Sequence, residues 1–254
     1  MPFPLVPLPA SGRRLTSTWP IRLGDVAPSG RVRLDAIARY LQDVAVDDAA
    51  DLFGDADFGW VVRRTTIEVA RFPVLGEQLE LTTWGSALGS RWAERRTSIT
   101  GSRGGRIETA ALWIHVDVET GRPLRHSDAF LAAYEEAVAG RTISSRLVHP
   151  DPPSGTALDR GPAWHVRRSD LDVLGHVNNA VYWAVVEESF DIEAKSQLPF
   201  RAELEYRGGL DGDSTATVLV LGESLWITSG ITSGDDVVAT ALVGYLDPST
   251  RPRP

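Results

Sequence analysis

The chain has 254 residues, of which 43% are hydrophobic, enough for a substantial core and too many for a disordered tail. It contains no cysteine, which excludes disulfides, thiolate metal sites and a covalent Cys nucleophile. A formal charge of −8 and a pI near 5.2 argue against a protein built chiefly to hold nucleic acid or an anionic membrane. The apolar N-terminal stretch Met1 to Pro9 carries four prolines and no preceding positive charge, so it reads as an extended tail and not as a signal peptide. No run approaches the roughly 18 apolar residues needed to span a bilayer. A soluble, cytoplasmic protein is expected.

Taken in chain order, apolar residues Leu34, Ile37, Ala38, Leu41, Val44 and Ala45 recur at helical spacing, predicting a helix over 33–53 that stops at Gly54. Four β-rich runs follow, Trp60 to Val69, Glu77 to Trp84, Arg91 to Thr100 and Arg106 to Val118, separated by Gly-bearing turns. Ser127 is the expected N-cap of a second helix ending at Ala139. Residues 140–163, rich in Pro, Gly and Ser, read as a linker. The same order then restarts: a short strand at Trp164 to Arg168, a helix from about Val177 to Ala194, and strands near Arg201 to Tyr206, Ser214 to Leu221, Ser224 to Thr228 and Asp236 to Leu246.

The restart is an internal repeat. Asp25, Gly30 and Val32 match Asp170, Gly175 and Val177 at an offset of 145, Ile67-Glu68-Val69 match Leu204-Glu205-Tyr206 at 137, and Ala111-Leu112 match Ala241-Leu242 at 130. The apolar run Ala180 to Val186 has no polar face, as expected of a helix enclosed by a sheet. An α+β chain made of two such helix-and-sheet units, paired as a pseudo-dimer, is predicted.

The densest mixture of polar and apolar residues is Arg168-Ser-Asp-Leu-Asp-Val-Leu-Gly-His-Val-Asn-Asn-Ala-Val-Tyr-Trp183. With Trp60-Val-Val-Arg-Arg64, Ile67 to Pro73, Leu81 to Trp84, Trp113 to Leu124 and Leu204-Glu-Tyr-Arg207, it resembles the tandem-hotdog acyl-acyl carrier protein (acyl-ACP) thioesterases over roughly residues 18–247. The resemblance implies an N-terminal hotdog at 18–139 that binds substrate, the linker at 140–163, and a catalytic C-terminal hotdog at 164–247. It implies release of a free fatty acid from acyl carrier protein, Asp172 as catalytic carboxylate and His176 as its family-typical companion, with no cofactor.

The residues themselves make the same placement plausible. Gly175 permits a tight turn between Asp172 and His176. A helix opening near Val177, Asn178 and Asn179 would aim unpaired N–H groups and its positive dipole end at a substrate carbonyl. Asp172 as a turn or cap, His176 as a structural hydrogen bonder and the two Asn as helix-start residues remain the alternatives. The family's Asn two positions after the Asp is Leu174 here, and its Glu and Cys after Glu-Tyr-Arg are Gly209 and Leu210, so a reduced mechanism on one carboxylate is expected, with Asp172 either the general base toward water or the nucleophile that attacks the carbonyl to give a mixed anhydride.

At the same offset of 145, Ala27 stands for Asp172 and Arg31 for His176, so the first copy is expected to be inactive. Trp60, Trp84, Trp92 and Trp113 are candidates to line its acyl tunnel. Arg63-Arg64, Arg95-Arg96, Arg167-Arg168, Arg141 and Arg146 are candidates to dock an acidic carrier protein. A metal at Asp170, Asp172 and His176 lacks a fourth ligand at recognisable spacing. The acids Asp47, Asp48, Asp51, Asp55 and Asp57 lack the pattern of a calcium loop, and read as a solvated helix face and turn. There is no Gly-x-Ser-x-Gly elbow and no nucleotide-binding loop. The rivals are an acyl-CoA thioesterase, an enoyl-thioester hydratase or dehydratase, and a non-catalytic acyl-binding protein. The chain is expected as a monomeric pseudo-dimer or a homodimer.

Overall fold

The computed structural model describes residues 5–54, 59–117, 119–154, 161–229 and 236–245. Asp55, Asp57, Val118, Leu246 and residues 155–160 of the expected linker lie outside them. The first half runs β1 (Leu15–Pro20), a 3-10 turn (Leu23–Asp25), α1 (Leu34–Phe53), β2 (Trp60–Arg71), β3 (Gln78–Leu88), β4 (Trp92–Gly101), β5 (Arg106–His115) and α2 (Asp128–Val138). The second runs β6 (Ala163–His165), a 3-10 turn (Arg168–Asp170), α3 (Asn179–Ser189), β7 (Phe200–Tyr206), β8 (Thr215–Leu221), β9 (Ser224–Ser229) and β10 (Asp236–Tyr245). Among the described residues no helix is long and apolar enough to cross a membrane.

All ten strands form one sheet in the order β1-β3-β4-β5-β2-β7-β10-β9-β8-β6. Read from either end, the order pairs each strand with its counterpart: β1 with β6, β3 with β8, β4 with β9, β5 with β10, and β2 with β7 at the centre. The halves are joined there by antiparallel pairing of Arg64 with Glu205, Ile67 with Ala202 and Val69 with Phe200. This is the duplicated hotdog architecture, each half a sheet curled around its helix. Among the described residues α2 has no counterpart, and β1 was not foreseen.

Side-chain alternation gives the sheet two faces. On the concave face Ile67 of β2, Leu81 of β3, Ile99 of β4 and Ile107 of β5 meet Leu34, Ile37, Leu41 and Val44 of α1, while Phe200, Ala202 and Leu204 of β7 meet Tyr182, Trp183 and Val186 of α3 in one continuous core. Each such side chain contributes about 1.5–3 kcal/mol on burial. On the opposite face of β7, Arg201, Glu203 and Glu205 are buried because the linker crosses them. There His149 packs with Nε2 3.2 Å from Glu203 and Nδ1 2.9 Å from the Thr240 hydroxyl, while Glu205 accepts the backbone N–H of Val148 at 2.7 Å. Trp226 donates to the Pro150 carbonyl at 3.1 Å and Arg207 pairs with Asp151 at 2.7 Å, tying the strap down further.

Candidate active site

The site begins as a hairpin set by local chemistry. The Asp170 carboxylate accepts the N–H of Arg167 at 2.9 Å and closes the 3-10 turn. The chain then folds back on itself: Asp172 N–H donates to the His176 carbonyl at 2.9 Å, and Gly175 N–H to the Asp172 carbonyl at 3.0 Å. Gly175 sits at φ 81°, a left-handed conformation that favours glycine. Asp172 is half-buried, and its Oδ1 accepts the N–H of Leu174 at 2.9 Å, which fixes the carboxylate and leaves Oδ2 without a partner among the described residues.

The helix expected over Val177 to Ala194 is shorter at both ends, because α3 spans Asn179–Ser189. Val177 is buried and its N–H donates to the Leu210 carbonyl at 2.8 Å, so it offers nothing to a substrate. The N–H of Asn178 is also taken, by Asp170 at 2.8 Å, and its side chain is the N-cap, accepting from Ala180 N–H at 2.9 Å. Asn179 supplies the remaining first-turn amide.

His176 is largely exposed, and its Nδ1 lies 2.7 Å from Oδ1 of Asp211. Asp211 stands two positions beyond Gly209, where the resemblance would place a Glu. A side chain at Gly209 would begin 3.5 Å from His176 Nδ1, so the glycine leaves space for the imidazole and the carboxylate arrives from further along the turn. Asp211 is the partner of His176 that the sequence reading missed.

Asp172, Asn178 and Asn179 open onto a cleft of about 860 Å³ that runs into the first half, between α1, α2 and the ends of β2, β4 and β5. His176 and Val177 are not on its lining. Trp60 and Trp113 are. Trp60 stacks on His115 at 4.8 Å between ring centres and on Phe130 at 5.2 Å, giving the cleft an aromatic wall. Trp84 is instead fully buried beneath the Arg96 guanidinium, and Trp92 donates its indole N–H to the Ile143 carbonyl at 2.7 Å. His126 also lines the cleft, and burial holds its imidazole below the usual histidine range.

The deeper wall is charged. Arg95 reaches from β4 to Asp48 of α1 at 2.7 Å and to the Tyr134 hydroxyl of α2 at 3.1 Å. Arg96, on the other face, binds Glu108 at 3.0 Å and the Thr109 and Val6 carbonyls. Arg64 is buried as well. These three arginines are therefore unavailable to dock a carrier protein, and Asp48, expected on a solvated face, is an internal ion-pair partner. Arg167 and Arg168, beside the Asp172 hairpin, are exposed.

The equivalent hairpin of the first half has the same backbone. Ala27 N–H donates to Arg31 at 2.8 Å, Gly30 N–H to Ala27 at 2.8 Å, and Gly30 sits at φ 86°. With Ala27 it presents no carboxylate. Arg31 is buried against Glu187 of α3 at 2.8 Å and Glu193 at 2.5 Å.

One buried group has metal-ligating side chains, His149, Glu203 and Glu205, whose ligand atoms lie within 4.8 Å of one another. Those atoms are already committed to Thr240, Thr66 and the strap's own amides, which assigns the group to holding the linker.

Comparison with known proteins gives a consistent result. The acyl-ACP thioesterase N-terminal domain matches residues 12–134, and the acyl-ACP thioesterase C-terminal domain residues 159–239. An uncharacterized protein of Mycobacterium tuberculosis (strain H37Rv) is 33% identical over 245 residues, covering 95% of this chain and 96% of that one. The chloroplastic palmitoyl-acyl carrier protein thioesterase of Gossypium hirsutum is 27% identical over 241 residues, covering 84% of this chain and 56% of the plant protein. In fold, the chain is similar to an acyl-ACP thioesterase of Bacteroides thetaiotaomicron (TM-score 0.72, 18% identity, 92% and 98% covered). It is also similar to the 12:0-ACP thioesterase of Umbellularia californica (TM-score 0.70, 22% identity, 94% and 99% covered).

Proposed function

The chain belongs to the acyl-ACP thioesterase family and is a thioester hydrolase of fatty acyl substrates, and on that premise we propose that it hydrolyses fatty acyl-acyl carrier protein with Asp172 as the general base. The observation that carries this reading is the position of Asp172, anchored by one oxygen at the mouth of the cleft beside the start of α3. Water bound to Oδ2 gives up a proton as it adds to the acyl carbonyl, and the helix-start amide faces the oxygen that becomes negative. The leaving thiol has a pKa on the order of 8.5 and departs without a strong acid, which suits a mechanism that uses one carboxylate, Asp172.

His176, held by Asp211 outside the cleft, positions the pantetheine arm of the carrier as it enters. The first half, 18–139, supplies the acyl cleft, with Trp60 on its wall. The linker, 140–163, straps the back of the sheet, and the second half, 164–247, carries the chemistry. Arg167 and Arg168, exposed beside the hairpin that carries Asp172, are the favoured contacts for an acidic carrier. Pairing of the two halves inside one chain lets a monomer hold a complete site.

Free-thiol release from a panel of acyl-ACP substrates, compared with acyl-CoA at equal acyl length, tests the proposal. Asp172→Asn should retain its fold and lose turnover. Near-parental hydrolysis by a folded Asp172→Asn would remove Asp172 from the mechanism, and a preference for CoA esters would replace the carrier. Loss of enoyl absorbance without thiol release would indicate a hydratase, and acyl binding without either reaction a binding protein.

A further inference from the structure

The two halves begin their helices at equivalent places, α1 at Leu34 and α3 at Asn179, again 145 positions apart. In the inactive half the amide at that place is occupied. Glu187 Oε2 accepts Leu34 N–H at 2.7 Å while its Oε1 takes Arg31 at 2.8 Å. The protein thus carries its own carboxylate on the helix-start amide, an internal anion at the location where an oxyanion would bind.

The residue equivalent to Glu187 in the active half is Gln42, on α1. It lines the cleft together with Asp172 and Asn179, and it lines a second, small void together with Asn179. Its side-chain amide has no hydrogen-bond partner among the described residues. A Glu at this place would seat its charge on the Asn179 amide and repel both Asp172 and the developing oxyanion. A glutamine leaves the amide open and adds an N–H donor of its own.

We propose that Gln42 is a catalytic residue whose Nε2–H, with the N–H of Asn179, holds the oxyanion of the thioester. The inference rests on the hydrolase reading above. As Asp172 removes the proton from water, the water oxygen bonds to the acyl carbon and the carbonyl π pair moves onto oxygen between these two donors. Collapse restores the carbonyl and breaks the C–S bond. The proton held by Asp172 passes to the departing sulfur, giving free acid and thiol.

Two substitutions test this on the full chain with acyl-ACP, their folding checked by thermal melting. Gln42→Met removes the donor, and Gln42→Glu keeps the shape while reproducing the arrangement of the inactive half. Both should lower kcat on the order of 10²–10³-fold with KM little changed, the loss expected for one oxyanion donor. Glu187→Gln, the reciprocal change in the inactive half, should leave kcat unaltered. If Gln42→Met does not fold, the isosteric Gln42→Glu carries the test. Folded variants with kcat within threefold of the parent, alongside an inactive Asp172→Asn, would overturn the role of Gln42 and leave the hydrolase reading standing. A parent chain that releases no thiol would overturn both.

Discussion

Replacing Arg31 by Met should expose the energetics of the ion pair that joins the first half to α3. Arg31 is 4% exposed, and its guanidinium lies 2.8 Å from Glu187 and 2.5 Å from Glu193. At an effective dielectric of about 20, a pair at that separation attracts by roughly 6 kcal/mol, most of it offset by desolvating both ions. Removing the cation alone leaves Glu187 buried without its partner, and the expected loss is about 3–5 kcal/mol. Burial already pushes the Glu187 carboxyl above its usual range, even though the Leu34 amide and Arg31 pull it down. Without Arg31 it rises further. A carboxyl raised in the folded state costs nothing below its unfolded value and destabilises progressively as pH climbs through the folded one. The Arg31→Met penalty should therefore be smallest at the acid end of the usual carboxylate range and grow toward neutral pH. In the double variant Arg31→Met with Glu187→Gln the Leu34 amide keeps an acceptor and no charge is stranded, so the loss should shrink to about 1 kcal/mol. Urea unfolding at an acid and a neutral pH, with unchanged m, measures all of this. A single-variant loss below about 1 kcal/mol, or one indifferent to pH, would refute the reasoning.

Three further outcomes follow from other parts of the fold. Trp183→Ala, at a fully buried position on α3, should cost about 3–5 kcal/mol by thermal or urea unfolding, and a loss under about 1 kcal/mol would contradict its place in the core. Glu203 is pushed up by burial but held lower overall by His149, Thr66 and Arg64, so it adds stability above the ordinary carboxylate range that is lost as pH falls through its folded value; Glu203→Gln should flatten melting temperature against pH on the acid side. Gly175→Ala meets no atom within 4 Å yet must adopt φ 81°, so it should cost about 1–2 kcal/mol and reduce kcat by shifting Asp172, whereas unchanged kcat would show that the turn does not set the carboxylate.

Much of this molecule could be read from periodicity and repetition. The helical stripe from Leu34 to Val44 and the alternation in β2 to β5 are direct imprints of burial on one face. The offset of 145 carried the hairpin of Asp172 onto that of Ala27 with the same hydrogen bonds. What failed has identifiable causes. Val177 looked helical because it is apolar, but its amide is drawn to Leu210, and the helix waits for the cap at Asn178. β1 was missed because Thr-Ser-Thr-Trp-Pro is a polar edge segment whose register on β3, Leu15 opposite Thr83, comes from tertiary pairing. Asp211 and Gln42 were invisible since each meets the site across the fold, 35 residues from His176 in one case and from the other half in the other. Arg95 and Arg96 looked like surface charge because sequence does not show that Asp48 of α1, the Tyr134 hydroxyl of α2 and Glu108 come to meet them.

The mirrored strand order has a genetic consequence. In a symmetric pair of identical subunits every substitution is made twice, so a residue that silences one site silences both. Joining the two copies in one chain, with β2 and β7 paired at the seam, frees each position to change alone. The chain can keep a glutamate at 187, where it ties α3 to Arg31 and to the first amide of α1, while holding a glutamine at 42 on the cleft. Each copy can thereby diverge, and substitutions that reshape the cleft through α2 are made on one half alone.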